Sequence, residues 1–454
     1  MGLFNRAAKA TVEEPTEDEP NLPPVPAVDD QGRRSLKDHR DYVLGLIEPL
    51  TPFGMSLIDA WGLSLCEDIK GDGDVPPVPI AEADGYAFRF ADVAAAAPGT
   101  RPTLKVVDDW SVQEADDDLT RRLPATAALH DVAGHEAEAI AVTAGQPLPA
   151  GADTVAATWE TARGKTDGTI ALMTKVAEGD WVRPIAADAA DGELLMAAGT
   201  PLNDRRSALL AAAGFDRVLA RPRTRIALVQ VVASDGPVAG GAAGVGVQMV
   251  TAAAKTDGAT VWRVDADLDN LPIARERLND ELIRADLVLT IGGLSEERAD
   301  PRLVGLLASM GDVDVAKVAL RPGGRHGCGL IGDERTPVVM LPADPAALLI
   351  AYHAFARPAL RKLMGAQPYD HEPMLCFAER AFEAELGVTQ LVPVRLRQEG
   401  NRYLASEITA RRHTMLSTLV AADALVVLPG EKQRFYADEP LAGWLLDDLR
   451  IDTE

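Results

Sequence analysis

Residues 285–300 read ADLVLTIGGLSEERAD, an apolar run that ends in a Gly-Gly pair and a charged loop. The apolar part is typical of a strand buried on both faces, and the segment after the loop has helical spacing. Similar apolar runs at 225–232, 260–264 and 338–341 alternate with helical patterns. This alternation predicts a doubly wound parallel sheet whose ligands bind at the carboxyl ends of the strands.

The helices of this α/β domain are predicted over residues 247–257, 271–285 and 301–310, and a long helix from Pro345 to about Met364 ends the domain. Asp344 and Pro345 favour that helix start, because Asp is preferred at the N-cap and Pro at the first helical position.

The composition and the hydrophobic pattern of the remaining sequence change along the chain and predict a multi-domain α/β plus β protein. The parts are an acidic, Pro-rich tail that we expect to be disordered (1–34), a helical linking domain made of two segments (35–75 and 171–221), a small β-rich inserted domain (76–170), the central α/β domain (222–366) and a C-terminal β-barrel-like domain (367–454). In the linking domain, Ser35 and Ser56 each have an Asp three residues later, which predicts a helix start at both positions.

Composition limits the possible partners and the compartment. The 454 residues carry a formal net charge of −24, which argues against nucleic-acid binding because that requires clustered Lys and Arg. Only three cysteines occur, without a CxxC pair, so neither a disulfide scaffold nor a thiolate zinc site is expected. No apolar run is long enough for a transmembrane helix and no signal peptide is recognisable, so we expect a cytoplasmic protein.

Five stretches, including the one at 285–300, occur in an order and at a spacing that resemble the molybdopterin molybdotransferase family, which includes the E domain of gephyrin. They are PPVPIAEADGYAFR (76–89), QPLPAGADTV (146–155), ADLVLTIGGLSEERAD (285–300), KVALRPGG (317–324) and MLPADPAA (340–347). The resemblance runs from about Ser35 to Leu446. It implies an elongated homodimer with four subdomains, which inserts molybdate into adenylylated molybdopterin and releases AMP.

The resemblance also implies a set of site residues. Three carboxylates would be catalytic, namely Asp84, Asp188 and Asp300, and two of these, Asp84 and Asp300, would hold a divalent metal such as Mg²⁺. The molybdopterin ligand would be bound by Gly292, Gly293, Ser295, Arg321, Gly323, Pro342 and Asp344.

Several loops depart from the family pattern, and in each of them a glycine or a charged residue is lost or replaced. Val231-Val232-Ala233-Ser234-Asp235 stands for Thr-Gly-Asp-Glu-Leu, Ala186-Ala187-Asp188 for Gly-Glu-Asp, Glu296-Glu297-Arg298 for Val-Gly-Glu, Pro322-Gly323-Gly324-Arg325 for Pro-Gly-Lys-Pro, and Pro342-Ala343-Asp344-Pro345 for Pro-Gly-Asn-Pro.

These departures predict an impaired anion site. Asp344 caps a helix that would otherwise attract a phosphate, and Glu296 and Glu297 add negative charge to the neighbouring loop. Arg298, Arg321 and Arg325 are candidates for a substitute anion site. We therefore expect a transferase with weak or absent activity. The alternative is a non-catalytic, gephyrin-like scaffold whose dimer binds a peptide of a partner protein.

Some of these residues also have simpler interpretations. Asp84 could cap a turn before Gly85. His326 and Cys328 are spaced like metal ligands, but without a third ligand nearby we interpret them as structural. Trp61 and Trp159 are expected in the core.

Overall fold

The computed structural model of the chain describes residues 22–96, 100–109, 129, 137–233, 242–408 and 416–446. The chain forms two compact units. The core unit comprises residues 1–53, 62–64 and 220–454, and the middle unit comprises residues 54–61 and 65–219. The predicted tail up to residue 21, and residues 234–237 of the loop after the first predicted α/β strand, lie outside the described residues.

The core unit begins with strand β1 (Arg33–Arg34) and helix α1 (Leu36–Gly45). Ser35 is the N-cap of α1, as predicted, and its side chain accepts a hydrogen bond from the Asp38 N–H. Strand β1 pairs in parallel with residues 317 and 318, so Arg33 and Arg34 belong to a sheet rather than to a tail. The buried guanidinium of Arg34 forms an ion pair with Asp314. The composition of the N-terminal segment, from which the tail was predicted, gives no sign of this distant partner.

The middle unit is rich in short strands. In chain order, its elements and those at its edges are β2 (Phe53–Ser56), β3 (Ile69–Lys70), β4 (Ile80–Ala81), β5 (Gly85–Phe88), α2 (Ala91–Ala94), β6 (Thr103–Asp109), β7 (Glu138–Val142), β8 (Thr154–Ala157), β9 (Thr161–Arg163), β10 (Thr169–Leu172), β11 (Val182–Arg183), β12 (Leu194–Met196), α3 (Asp204–Ala212) and β13 (Arg217–Ala220). A six-stranded sheet has the order β8-β5-β7-β6-β10-β9, and three two-stranded sheets pair β11 with β4, β12 with β3 and β13 with β2. The predicted β-rich module is confirmed.

The helix predicted near Ser56 is wrong. Ser56 ends strand β2, and the following residues form turns. The capping contact does exist, because the Asp59 N–H donates to Ser56 Oγ at 3.2 Å. The Ser-x-x-Asp pattern therefore caps a turn here and not a helix.

The α/β domain follows in the core unit. Its elements are β14 (Arg225–Val232), α4 (Ala242–Thr256), β15 (Thr260–Asp267), α5 (Leu271–Leu282), β16 (Leu287–Ile291), α6 (Pro301–Ala308), β17 (Gly311–Val318), β18 (Leu320–Arg321), β19 (Arg325–Ile331), β20 (Thr336–Leu341), α7 (Pro345–Ala351) and α8 (Arg357–Leu363). Tyr352–Ala356 form a π-helical turn between α7 and α8. One seven-stranded sheet has the order β1-β17-β19-β20-β16-β14-β15.

The predicted parallel core of this sheet is confirmed, since β20, β16, β14 and β15 run in the same direction. The sheet is not parallel throughout, because β19 is antiparallel to both β17 and β20. Strands β17 and β19 were not predicted, because β17 alternates charged residues with valines and β19 is interrupted by glycines.

The predicted long helix is interrupted by the π-helical turn. Pro358 stands just inside α8 and has no N–H, so the regular i→i−4 ladder cannot pass through it. The interruption places the Tyr352 hydroxyl 2.6 Å from Asp257 Oδ2, while Arg357 Nε lies 2.9 Å from the other oxygen of the same carboxylate.

The C-terminal region contains β21 (Met374–Ala378), β22 (Phe382–Glu383), β23 (Thr389–Glu399), β24 (Arg402–Glu407), α9 (Leu416–Val420), β25 (Ala424–Leu428), β26 (Arg434–Phe435) and β27 (Pro440–Leu445). Strands β23, β24, β21, β27 and β25 pair in this order, and β25 pairs again with β23. The five strands close on themselves, which confirms the β-barrel-like prediction. The interior is filled by small and branched side chains such as Cys376, Val394 and Ala405.

Within the described parts of the chain, no helix combines the length and the apolar character needed to cross a bilayer.

Candidate anion-binding site at the carboxyl edge of the sheet

Three loops meet at the carboxyl ends of the parallel strands in the core unit. Ile291 at the end of β16 pairs with Leu341 at the end of β20, and the Gly292 N–H donates to the Leu341 carbonyl at 3.1 Å. Gly323, in the loop after β18, packs directly on Ala347 in the first turn of α7. We call residues 292–300, 321–325 and 342–347 the carboxyl-edge site.

Two glycines of this site permit its close packing. Gly293 has φ +71° and Gly323 has φ +81°, a backbone region that other residues adopt only with strain. A Cβ on Gly323 would lie 2.6 Å from the Ala347 Cβ, and one on Gly293 would lie 2.5 Å from Leu303 Cδ2. Both positions require glycine for geometric reasons, independently of any ligand.

The loop after β16 is folded on itself. The Ser295 N–H donates to the Arg298 carbonyl at 2.9 Å, and the Arg298 N–H donates to Ser295 Oγ at 3.2 Å. The Ser295 hydroxyl also lies 3.1 Å from the Arg298 carbonyl. The hydroxyl that the resemblance assigns to the ligand is therefore used inside its own loop, and exposed Glu296 and Glu297 form the tip.

The carboxylate of Glu296 contacts the groups that the resemblance assigns to the ligand. The Gly323 N–H donates to Glu296 Oε1 at 3.3 Å, and Arg321 Nη1 lies 3.9 Å from Glu296 Oε2. Arg321 Nε also forms a 2.8 Å ion pair with Glu385, which precedes strand β23 of the C-terminal barrel. A backbone donor and a guanidinium of the site thus already face carboxylates of the chain itself.

The two other arginines proposed for a substitute anion site differ. Arg325 Nη2 donates to the Glu297 carbonyl at 3.0 Å, so this guanidinium braces the loop tip. Arg298 is exposed, and its side chain forms no ion pair with any residue that the structure describes. Arg298 is therefore the more available cation for an incoming anion.

Asp344 caps helix α7, as predicted. Its Oδ1 accepts a 2.9 Å hydrogen bond from the Ala347 N–H, and Pro345 takes the first helical position. Pro342 is buried beside the end of β20, while Asp344 is exposed at the edge of the site. This cap satisfies a donor that a phosphate would otherwise use.

Asp300 is the N-cap of α6 and is held by Arg302. Its Oδ1 accepts from the Arg302 N–H at 2.9 Å, and its Oδ2 pairs with Arg302 Nη2 at 2.8 Å. The hydrogen bonds from the Arg302 side chain lower the pKa of the Asp300 carboxyl below its usual value. The carboxylate is thus kept ionised, and an arginine of the same chain already neutralises it.

Asp84 and Asp188 belong to the middle unit, and both are exposed. Asp84 Oδ1 accepts from the Ala144 N–H at 2.8 Å, so this carboxylate contacts a turn 60 residues away and not the segment before Gly85 that the simpler interpretation proposes. Asp188 pairs with Arg183 at 3.4 Å, and Arg183 also contacts Glu82, two residues before Asp84, at 3.3 Å. Arg183 therefore links the Asp84 segment to Asp188.

These carboxylates do not form a divalent-metal site by themselves. No group of three or more His, Cys, Asp or Glu side chains able to hold a metal occurs among the described residues. Both oxygens of Asp300 face Arg302, which leaves this carboxylate poorly suited to coordinate Mg²⁺. The Mg²⁺ expectation stays a prediction.

His326 and Cys328 are buried in β19, in agreement with the structural interpretation. The His326 ring lies 4.6 Å from Phe355 and 6.1 Å from His39, measured between ring centroids. Burial lowers the pKa of His326 to about 3 and raises that of the Cys328 thiol to about 12. Both groups are therefore uncharged at neutral pH.

Several residues of the site were missed by sequence reasoning. Arg302 could have been suspected, because an arginine two residues after an N-cap carboxylate is well placed to pair with it. Glu385 and the contact of Glu296 with Gly323 had no sequence signal, because they join loops far apart in the chain. The expectation that Trp61 and Trp159 are core residues is wrong, since they are 58% and 67% exposed.

Comparisons with known proteins agree with this architecture. Three family models match in succession, namely the MoeA N-terminal region (domain I and II) over residues 34–214, a probable molybdopterin binding domain over 235–362 and the MoeA C-terminal region (domain IV) over 378–440.

The similar proteins include molybdopterin molybdenumtransferase 1 of Mycobacterium tuberculosis, which is 27% identical over 87% of this chain and 95% of its own. The molybdopterin molybdenumtransferase of Bacillus subtilis is 25% identical over 83% of this chain and 85% of its own. The solved structure of a molybdopterin biosynthesis MoeA protein from Pyrococcus horikoshii OT3 matches with a TM-score of 0.65 at 20% identity, over 91% of this chain and 100% of that one, which supports the fold. With consecutive matches to all three family models, this chain belongs to the MoeA family.

Proposed function

We propose that the protein binds adenylylated molybdopterin at the carboxyl-edge site and acts in molybdenum cofactor biosynthesis as a molybdopterin molybdenumtransferase of weak or absent activity. Family membership and the names of the curated relatives support the reaction class. The observation that supports weak activity is the contact of the Glu296 carboxylate with the Gly323 N–H, 3.3 Å from N to Oε1.

The physical argument concerns competition between anions. A phosphate of the ligand would need a backbone donor and a cation, and Gly323 and Arg321 are the groups placed to supply them. Glu296 already contacts both, and Glu385 takes a further share of the Arg321 charge. A phosphate must displace Glu296 and then remain close to its charge, so binding is weakened by repulsion that a neutral residue would not cause.

The family resemblance also supports a homodimer. The contacts that residues of the chain make with groups of the carboxyl-edge site favour a second candidate function. If the carboxyl-edge site no longer binds its ligand, the dimer would act as a scaffold that binds a peptide of a partner protein. Two contacts favour this candidate: the ion pair of Asp300 with Arg302 and the hydrogen bond from the Gly323 N–H to Glu296. In both, a group of the site is bonded to another residue of the chain and needs no ligand as a partner.

The test measures activity and binding separately. Cells that lack their own molybdotransferase are supplied with the unmodified chain, and the activity of a molybdoenzyme is assayed; we expect little or no restoration. The purified chain is titrated with adenylylated molybdopterin, and its mass is measured by sedimentation, where we expect weak binding and a dimer. Full restoration of molybdoenzyme activity would contradict weak activity, and a dimer with no detectable ligand binding would favour the scaffold.

A further inference from the structure

A wide cavity opens in the core unit at the edge of the sheet where the parallel strands begin. It is lined by Arg225 and Thr336, the first residues of β14 and β20, and by Asp286, which precedes β16. Its volume is about 1730 Å³, larger than the roughly 300–1,000 Å³ of most small-molecule sites. We call it the amino-edge cavity. Its size suits a segment of polypeptide better than a small molecule.

Two helices of the α/β domain end at the amino-edge cavity. Leu282, the last residue of α5, and Ser309, which caps α6, both line it. A helix carries partial negative charge at its carboxyl end, and neither α5 nor α6 has a basic residue in its last turn. Arg284, just beyond α5, is paired with Glu281. The two helix ends therefore give the cavity a negative potential.

The charged side chains of the wall add to this potential. Four exposed carboxylates line the cavity, namely Glu48, Asp280, Asp333 and Glu334. None of them forms an ion pair with a residue that the structure describes. Three arginines also line the cavity, but Arg225 is neutralised by Asp286 at 2.7 Å, which leaves Arg275 and Arg335 against the four carboxylates. The wall thus carries an excess of negative charge.

Apolar side chains lie among these carboxylates. Ile283, the C-cap of α5, lines the cavity and is 85% exposed. The half-buried side chains of Met310, Leu330 and Pro337 line it as well. Apolar surface that stays in contact with water in a concave site often marks the place where another molecule binds. The amino-edge cavity therefore combines apolar contacts with a negative wall.

Charge argues against three possible occupants. The sequence that leads into Leu22, at the cavity wall, carries the five carboxylates of Glu13, Glu14, Glu17, Asp18 and Glu19, which the wall would repel. A second copy of the chain, with its formal charge of −24, would meet the same repulsion. The phosphates of a nucleic acid require clustered cations, which this wall does not offer.

We propose that the amino-edge cavity binds a segment of a partner protein in which Lys or Arg side chains flank an apolar side chain. The cations would face the carboxylates and the helix ends, and the apolar side chain would pack on Ile283. This inference goes beyond the proposed function, because the cavity lies at the opposite edge of the sheet and shares no residue with the carboxyl-edge site.

The test measures the binding of a short fluorescent peptide, in which lysine alternates with leucine, to the full-length chain by fluorescence anisotropy. I283S removes the apolar contact, and D333N/E334Q removes two carboxylates of the cavity. A second peptide, with serine in place of each leucine, examines the apolar contact from the side of the partner. All three changed side chains are exposed, so the variants should fold, and thermal melting checks this.

Each variant has a matched control in the C-terminal region. V420S changes another apolar side chain, which is 87% exposed. E407Q/E431Q removes two exposed carboxylates that form no ion pair with any described residue. We expect I283S to weaken binding of the leucine peptide about tenfold. D333N/E334Q should weaken it roughly 2- to 25-fold, with a smaller effect at high salt, and both controls should bind like the unmodified chain.

Several results would overturn the proposal. Equal losses in the cavity variants and in their controls would show that the peptide is attracted to the acidic surface in general. Equal binding of the leucine and serine peptides, or no binding to the unmodified chain, would also contradict it. Dissociation of a dimer by I283S and not by V420S, measured by sedimentation, would place a second copy of the chain in the cavity instead of a partner.

The outcome is independent of ligand binding at the carboxyl-edge site. Adenylylated molybdopterin is titrated in parallel, and its affinity for I283S and for the unmodified chain should be the same. Loss of peptide binding with unchanged ligand affinity supports the amino-edge cavity as a separate site. If the unmodified chain does not bind adenylylated molybdopterin but binds the leucine peptide in the expected order of variants, the proposed function fails and the amino-edge cavity stands.

Discussion

The Gly323 N–H donates a hydrogen bond to the carboxylate of Glu296, with 3.3 Å between N and Oε1. These residues belong to different loops, after β18 and after β16, and the contact places a negative charge where the family resemblance places a phosphate. Gly323 itself cannot be altered without cost, because an added Cβ would lie 2.6 Å from the Ala347 Cβ. The charge of Glu296 is therefore the feature to change.

Glu296→Gln should strengthen the binding of adenylylated molybdopterin by about tenfold or more, because one negative charge leaves the site and Arg321 is released from one partner. The matched control is Glu297→Gln, which removes an equal charge one residue away, where the main-chain carbonyl and not the carboxylate contacts Arg325. Calorimetric titration at two ionic strengths measures the effect. Equal gains in the two variants would mean that general charge, and not the Gly323 contact, limits binding.

Much of the fold could be predicted from the sequence, and the reason is visible in particular strands. Strand β14 was predicted to its first and last residue, because a run of buried apolar side chains is a local signal. Strand β17 was missed because Asp312 and Asp314 interrupt its valines, and the burial of Asp314 beside Arg34 is a tertiary effect.

The candidate site followed the same rule. The cap at Asp344 is a local pattern and was predicted, whereas the ion pair of Arg321 with Glu385 joins residues that only folding brings together. The exposure of Trp159 was mispredicted, because hydrophobicity predicts burial and cannot recognise a ring that packs edge to face on another tryptophan, Trp181, at the surface.

Two substitutions at Asp344 should separate charge from capping. Asp344→Asn keeps an N-cap oxygen for the Ala347 N–H, so the free energy of unfolding should change little, while Asp344→Ala should destabilise the protein by about 1 kcal/mol. Both remove the same charge, and both should therefore improve binding of the ligand to a similar extent. Denaturant unfolding and calorimetric titration are the measurements. A gain in affinity confined to the Ala variant would show that the freed helix N–H matters more than the charge.

Within the N-terminal segment, we expect Arg34 to contribute to stability and residues 1–21 to contribute little. Removing residues 1–34 takes away the partner of Asp314 and should lower the free energy of unfolding by about 3 kcal/mol, as breaking a largely buried ion pair does. Removing residues 1–21 alone should leave the melting temperature almost unchanged, because that acidic, Pro-rich stretch has little apolar material to bury. Arg34→Ala in the full-length chain should reproduce most of the larger loss. Equal melting temperatures for both truncations would contradict the importance of the ion pair.

The protein should lose stability steeply as the pH falls below 6.5. Burial lowers the pKa of His39, His326 and His353 to about 3 and that of His371 to about 4. The unfolded chain takes up protons on these histidines near pH 6.5 while the folded chain does not. Their stabilising effect is thus complete above pH 6.5 and is lost progressively as the pH falls towards 3 to 4, the pKa values of the folded chain.

At pH 5.5 each of the four histidines should lower the free energy of unfolding by about 1.4 kcal/mol. The sum approaches the whole stability of a typical domain. The free energy of unfolding, measured with denaturant at pH 7.5, 6.5 and 5.5, tests this. His326→Asn should lower stability at neutral pH but reduce the slope by the share of one histidine. A free energy of unfolding independent of pH between 7.5 and 5.5 would show that these rings take up protons in the folded chain at the same pH as in the unfolded chain.

Restoring the family residues should recover strong ligand binding only when Glu296 is among the residues replaced. The set Ala187→Glu, Ala233→Asp, Ala343→Gly and Asp344→Asn returns two carboxylates, one glycine and a neutral cap, but it leaves the Glu296 carboxylate on the Gly323 N–H. We expect this set alone to improve binding modestly and to leave molybdoenzyme activity unrestored in cells without their own molybdotransferase. Adding Glu296→Val and Glu297→Gly should restore binding by a further one to two powers of ten, at roughly 1.5–3 kcal/mol for a recovered charge-assisted contact.

The lysine of the family loop should be tested separately, as Gly324→Lys, because the space around Gly324 is crowded in this protein. A Cβ on Gly324 would lie 3.1 Å from the Val318 carbonyl oxygen and 3.2 Å from that of Leu320, so Gly324→Lys requires the strand ends to shift by a few tenths of an ångström. This substitution should lower the melting temperature, and it should help binding only in the background that carries Glu296→Val, where the added cation can reach a phosphate instead of pairing with Glu296. Restoration of activity by Gly324→Lys alone would mean that a missing cation, and not the carboxylate of Glu296, is what limits the site.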